Sequence, residues 1–92
     1  MGEKVIHDKA KSQFIMIVDG NKSFVDYLIE NNKMYLHHTY THPELRGKGY
    51  AAQVVTAALE YAEENNLKVV PSCTYVLAFI SRNRKYIDLI AD

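Results

Sequence analysis

The chain carries a single cysteine, Cys73, and no tryptophan. A lone cysteine excludes an internal disulfide and suits a reducing compartment, so the expected location is the cytoplasm. Charge of one sign is also missing, because eleven basic and eleven acidic residues cancel. Binding along a phosphate backbone needs a basic surplus or a basic face, so nucleic acid is not the expected partner. The basic residues do gather in two spots, Arg46 with Lys48 and Arg82 with Arg84 and Lys85. Two separated spots suit a small polyphosphate better than a duplex. No apolar run reaches the length of a membrane span, and Met1-Gly2-Glu3-Lys4 lacks a signal peptide's apolar core. Met1-Gly2 also opens myristoylation signals, but Ile6 stands where those carry Ser or Thr. A membrane is therefore not an expected partner either. There is no repeat, low-complexity run or linker, and residues 1–92 read as one domain, small but long enough to fold alone.

What is present alternates in the manner of an antiparallel meander. Val5 and Ile6 begin a short strand, and Asp8 to Lys11 is turn-like. Phe14 to Val18, Ser23 to Glu30 and Met34 to Thr41 read as three further strands. Asp19-Gly20-Asn21 and Asn31-Asn32 are the tight turns between them. The period then changes. Ala51, Val54, Val55, Ala58, Leu59 and Ala62 recur at helical spacing, which predicts a helix from about Lys48 to Asn65, with Asn65-Asn66 supplying a left-handed stop. Lys68 to Pro71 is a fifth strand. It returns by a helix and should run parallel to the fourth. Cys73 to Arg82 fits a short helix, and Ile87, Leu89 and Ile90 a last turn. The fold class is α+β, with a mixed, mostly antiparallel sheet of about five strands and a helical crossover between strands four and five.

The crossover opens on Pro43-Glu44-Leu45-Arg46-Gly47-Lys48-Gly49-Tyr50-Ala51, which holds two of the four glycines. The first amides of a helix have no intrahelical partner, and the helix dipole is positive there. Glycines without a Cβ let an anion approach the backbone. Arg46 and Lys48 add positive charge, so the stretch reads as a phosphate cradle; the competing reading is a plain strand-to-helix turn. No Gly-Lys-Ser/Thr follows, which excludes a P-loop, and the dinucleotide fingerprint is not met. Ligands in open sheets with helical crossovers collect at the carboxyl ends of parallel strands. The glycine turn follows strand four and Cys73 follows strand five, so both fall on one edge. If Ser72 caps the next helix, Cys73 occupies its first turn, where the positive helix end favours thiolate.

Arg46-x-x-Gly49-x-Ala51 resembles the Arg/Gln-x-x-Gly-x-Gly/Ala motif of the GNAT acyltransferase superfamily, which holds the pyrophosphate of acetyl-CoA. His38-Thr39 before it and Pro71-Ser72-Cys73 after it look like the short, minimal branch of that superfamily. The resemblance runs from about His38 to Leu89. It implies an acetyl-CoA-dependent N-acetyltransferase with the pyrophosphate on Arg46, Gly47, Lys48, Gly49, Tyr50 and Ala51. It implies a pantetheine arm in a splay between strands four and five, along Thr39 and Tyr40, with Arg82 and Asn83 reaching toward the CoA phosphates. Cys73 then stands near the acyl group as nucleophile, as general acid or base, or as a packing residue. His38 is the preferred general base, because an imidazole with a pKa of about 6.5 can take the proton an amine must lose. Tyr75 and Tyr86 are the candidates to protonate the departing CoA thiolate.

Metal is not expected. His37 and His38 are neighbours on a strand and should face opposite ways, and His42 has no acidic or cysteine partner at ligand spacing. The acceptor is an amine, on a small molecule or a protein lysine, that the sequence does not identify. Larger members of the superfamily place two helices between their first two strands, whereas here only Lys9 to Ser12 fills that interval. The alternative is therefore a CoA-binding or protein-interaction module without catalysis. The apolar run Phe14 to Val18 also leaves a sheet face in need of cover, so monomer and homodimer both stay open.

Overall fold

The computed structural model describes residues 4–91. The reading of Met1-Gly2 falls outside them. Five strands form one sheet in chain order: β1 (Ile6–Asp8), β2 (Gln13–Val18), β3 (Asn21–Glu30), β4 (Lys33–Thr41) and β5 (Lys68–Pro71). The first four pair antiparallel and β4 pairs parallel with β5. Helix α1 (Tyr50–Glu64) makes the crossover, and α2 (Thr74–Arg82) follows β5.

Local chemistry dictates the meander. Asp19 and Gly20 have φ of 52° and 81°, and Asn31 and Asn32 have 53° and 62°. Two successive positive φ values make a type I′ turn, whose twist matches the flanking strands and which favours Asp, Asn and Gly. Between β1 and β2 stands one 3-10 turn, Lys9–Lys11, whose Lys11 amide donates to the Asp8 carboxylate at 3.2 Å. No helix fits in so short a connection.

Residues opposite one another in register share a face, and the two faces differ. His7, Phe14, Val25 and Thr39 form one cross-strand row, on the side covered by α1. There Met16, Val25, Met34, Leu36 and Val69 meet Val54, Val55, Ala58, Leu59 and Ala62. Removing each large aliphatic side chain from water contributes about 1.5–3 kcal/mol, and this stripe sets how α1 lies on the sheet. The helix ends as the sequence predicts. Asn66 adopts φ 56°, the Leu67 amide donates back to the Ala62 carbonyl at 2.8 Å, and the Asn65 side chain caps the Tyr61 carbonyl.

β4 departs from simple alternation. Tyr27 pairs with Leu36 but Asp26 pairs with His38, so His37 is an extra residue on β4. This β-bulge resets the pleat. Leu36 and Thr39, three apart, share the α1 side, while His38 and Tyr40 turn to the other face. Both His37 and His38 are exposed.

His7 sits in an aromatic cage at the edge of this layer. Its ring stacks on Phe14 at 4.1 Å, meets Tyr61 edge-on at 4.6 Å, and its Nε2 is 2.6 Å from the Tyr27 hydroxyl. Burial, with some repulsion from Lys9, lowers its pKa, and Asp8 only partly opposes this. The folded state thus holds the imidazole neutral where the unfolded chain would already take up a proton. Stability from this site is full above the unfolded value and falls as pH drops from about 6.5 toward the depressed folded value. Thermal melts between pH 7.5 and 5.5 should show falling Tm, with a shallower slope in His7→Phe. Equal slopes would place the acid sensitivity elsewhere.

Candidate active site

β4 and β5 pair only as far as Leu36 and Pro71. The Cys73 amide donates to the Leu36 carbonyl at 3.1 Å, and beyond that point the two chains separate. Residues 37 to 41 of β4 therefore have no β5 partner, and a cleft of about 340 Å³ opens beside them. Thr39, Thr41, Leu45, Arg46, Gly47, Gly49, Tyr50, Ala51, Ala52 and Tyr75 line it.

The glycine turn forms one end of the cleft. Buried Leu45 anchors it, and the 3-10 turn Pro43–Leu45 is started by His42, whose Nδ1 accepts from the Glu44 amide at 3.0 Å. That bond makes His42 a capping residue. Gly47 and Gly49 have φ of 77° and 85°, and a Cβ on either would meet no atom within 4 Å. Both glycines thus look onto open space and are required by backbone conformation. Gly49 is the N-cap of α1, and no side chain caps the helix. The first-turn amides of Tyr50, Ala51 and Ala52 are left for a ligand, with only alanine methyls around the last two. Arg46 is tethered at the mouth, its Nε donating to the Thr41 carbonyl at 3.1 Å. A diphosphate fits this cradle in both charge and clearance.

Cys73 lies just outside the lining, against Thr39. Its Sγ lies 3.3 Å from the Thr39 hydroxyl. Partial burial opposes ionisation, but Thr39 and the nearby backbone amides of Val76, Tyr75 and Thr39 outweigh it and hold the thiol below its ordinary pKa. The expectation that Ser72 caps α2 is corrected: Cys73 is itself the N-cap, at φ −99° and ψ 133°. Its hydrogen bond to Leu36 keeps it extended, so the helix starts one residue later. The sulfur takes the position of a capping side chain. The amides of Tyr75 and Val76 are near it, although neither makes a full capping hydrogen bond to the neutral thiol.

The structure sorts the remaining sequence candidates. Arg46, Gly47, Gly49, Tyr50, Ala51 and Thr39 come together in the cleft. Lys48 is exposed beside the turn and does not line it. Tyr40 turns its ring to the far face against Phe24, at 5.5 Å, leaving only its backbone on the cleft side. His38 also faces away, 5.9 Å from Phe24. Arg82 and Asn83 are at the opposite end of α2, about 10 Å along the axis from Tyr75. The Asn83 side chain caps the Phe79 carbonyl there. Tyr86 is buried against Phe79, whereas Tyr75 lines the cleft with its hydroxyl pKa raised by burial, so Tyr75 is the tyrosine in position. Thr41, Leu45 and Ala52 were not singled out in the sequence. The signal for Thr41 is its alternation with Thr39, and for Ala52 its place in the first turn of α1. Among the described residues no cluster of three or more His, Cys, Asp or Glu could hold a metal, and no helix is long and apolar enough to cross a membrane.

A strand-to-helix glycine turn beside two parting parallel strands places this mixed sheet and its helices among the GNAT-like α+β folds. A model of the GCN5-related N-acetyltransferase family matches residues 13–89, and the chain belongs to that family. Among curated proteins it is similar to Protein NATD1 of Danio rerio, 29% identical over 83 residues, covering 87% of this chain and 76% of that protein. Protein NATD1 of Homo sapiens is 28% identical, covering 87% and 74%. The NMR solution structure of a GCN5-like protein from Staphylococcus aureus superposes with a TM-score of 0.75 at 26% identity, covering 96% of this chain and 87% of that one.

Proposed function

We propose that this chain transfers the acetyl group of acetyl-CoA to an amine. The observation that carries this reading is an uncapped, glycine-bordered helix start lining the cleft where β4 and β5 part, together with a thiol of lowered pKa that sits behind the cleft-lining Thr39. In this reading the pyrophosphate rests on the amides from Gly47 to Ala52, with Arg46 at the mouth and Lys48 adding charge from outside. The pantetheine follows the unpaired edge of β4 along Thr39 and Tyr40. The thioester then reaches Cys73. Tyr75 keeps its proton at neutral pH and gives it to the CoA sulfur as the thioester carbon–sulfur bond breaks. His38 lies on the far side of β4, so it takes the amine's proton only where the amine approaches the thioester from that face. Arg82 and Asn83 have no part.

A second reading, a CoA-binding module without catalysis, is favoured by one feature: only four residues, Lys9 to Ser12, separate β1 from β2, too few to wall an acceptor pocket there. One assay separates the two. Acetyl-CoA consumption, followed by thiol release, should accelerate at least tenfold with some amine among polyamines, amino acids and lysine peptides. CoA binding by calorimetry with no acceleration across that panel would favour the module.

A further inference from the structure

Among the described residues Ser23, in β3, is the one buried polar side chain that is not aromatic. Its register neighbours are Met16 on β2 and Thr41 on β4. Among the described residues its hydroxyl has one hydrogen-bond partner, the Thr41 hydroxyl at 2.9 Å. Thr41 in turn lines the cleft. The positions of the two oxygens leave the direction of this bond open, and burial decides it. A hydroxyl has one proton and two lone pairs. If Thr41 donated, the Ser23 proton would sit in the core without an acceptor, at the full cost of its desolvation. Ser23 therefore donates and the Thr41 oxygen accepts, which leaves the Thr41 proton free for the cleft. The Thr41 backbone is also held. Its carbonyl accepts from Arg46 Nε at 3.1 Å, and the next amide, of His42, donates to the Lys22 carbonyl at 2.9 Å. These bonds tie the glycine turn to the start of β3. Rotation of the Thr41 hydroxyl is the freedom that Ser23 removes.

Resting on the acetyl-CoA reading, we infer that Ser23 is a positioning residue for the cradle: it sets Thr41 as a fixed hydrogen-bond donor to a diphosphate oxygen of the ligand. An ionised phosphate oxygen accepts charge-assisted hydrogen bonds, so a donor held toward it is favourable. A freely turning hydroxyl would have to be ordered when the ligand binds, and Ser23 bears that ordering in advance. The partner is the anion rather than the pantetheine, because Arg46 is bonded to the carbonyl of this same threonine and brings the positive charge of the mouth beside it.

The test titrates the protein with CoA and with ADP, which shares the diphosphate but lacks pantetheine, and follows amide resonances so that weak binding is also read. Thr41→Val should weaken both ligands about tenfold, the loss of a hydrogen bond to a charged group. Thr41→Ser keeps the hydroxyl and should bind within about twofold of the parent. Ser23→Ala should weaken both about threefold, since the hydroxyl must then be ordered by the ligand. Combining Ser23→Ala with Thr41→Val should weaken binding no further than Thr41→Val alone, because Ser23 acts only through Thr41. Thermal melts check folding and the direction of the bond together. Thr41→Val strands the Ser23 proton and should melt lowest, and adding Ser23→Ala should raise Tm. Losses that multiply in the double variant, undiminished affinity in Ser23→Ala, or a double variant that melts below Thr41→Val would each overturn the inference. So would a loss confined to CoA, or a parent that binds CoA but not ADP, because the hydroxyl would then serve another part of the ligand. CoA bound equally by parent and variants removes this inference alone. A parent that binds neither CoA nor ADP removes the acetyl-CoA reading with it.

Discussion

Replacing Gly49 with valine should abolish measurable CoA binding in a chain that still folds. Gly49 holds φ 85° at the N-cap of α1 and borders the cleft, with open space where its Cβ would be. A branched side chain would therefore start from open space and project toward the ligand's path. It would keep a diphosphate from the first-turn amides, a loss of at least about 100-fold in affinity, or roughly 2.7 kcal/mol. The backbone adds a separate cost, because a non-glycine residue in a sparsely populated region is strained by about 1–3 kcal/mol. A small domain's total stability of about 5–15 kcal/mol tolerates that. Gly20→Val provides the control. Gly20 has φ 81° and open space around it but sits in the β2–β3 turn. Both variants should melt lower than the parent, and only Gly49→Val should lose CoA in calorimetry. Parent-like affinity in Gly49→Val would mean that the glycine turn is not the cradle. Equal losses in both would trace the effect to stability.

The glycine turn and both hairpins were legible because they depend on conformations few residues adopt. Positive φ calls for Gly, Asn or Asp, and those residues stand at Asp19-Gly20, Asn31-Asn32, Gly47, Gly49 and Asn66. The α1 stripe was legible for a different reason, since one helical period served one buried face. The bulge at His37 left no such mark. It contains no glycine or proline, and it arises where β4 must leave β5 while keeping its pairing with β3. Its consequence is large, because it turns Thr39 and Thr41 toward the cleft and His38 and Tyr40 away. The cap of α2 was misread in a similar way. Serine is the better capping residue by intrinsic preference, but the Cys73–Leu36 hydrogen bond, a contact across 37 positions of chain, decides where the helix begins. The sequence alone did not place Arg82 and Asn83, because a basic turn after a helix reads equally well as a ligand contact and as a C-terminal cap. Only the direction of α2 distinguishes them.

Incubating the protein with acetyl-CoA and no amine should leave one acetyl group on Cys73. The Thr39 hydroxyl and the start of α2 favour the thiolate, which outweighs the opposing effect of partial burial. The thiolate attacks the thioester carbon, a new carbon–sulfur bond forms at Cys73, and the CoA sulfur leaves with the proton of Tyr75. Intact-mass analysis should detect the adduct, and hydroxylamine should remove it. Cys73→Ser should lose the adduct and at least 100-fold in turnover, since a hydroxyl is scarcely ionised near neutral pH. CoA affinity should survive, because the phosphate cradle belongs to the β4–α1 turn. Thr39→Val gives a graded companion. Removing the hydroxyl takes away a group that lowers the thiol pKa, so the midpoint of the alkylation rate against pH should move upward. The sign of the stability effect follows from the same shift. A depressed folded pKa means that the unfolded chain binds more protons, so this site stabilises the fold above the ordinary thiol pKa and loses that contribution as pH falls through the folded value. Direct transfer predicts the opposite pattern: no adduct, and appreciable turnover in Cys73→Ala. Acetylation at any residue other than Cys73 would rule out the covalent route through this thiol and leave Cys73 as the packed N-cap of α2.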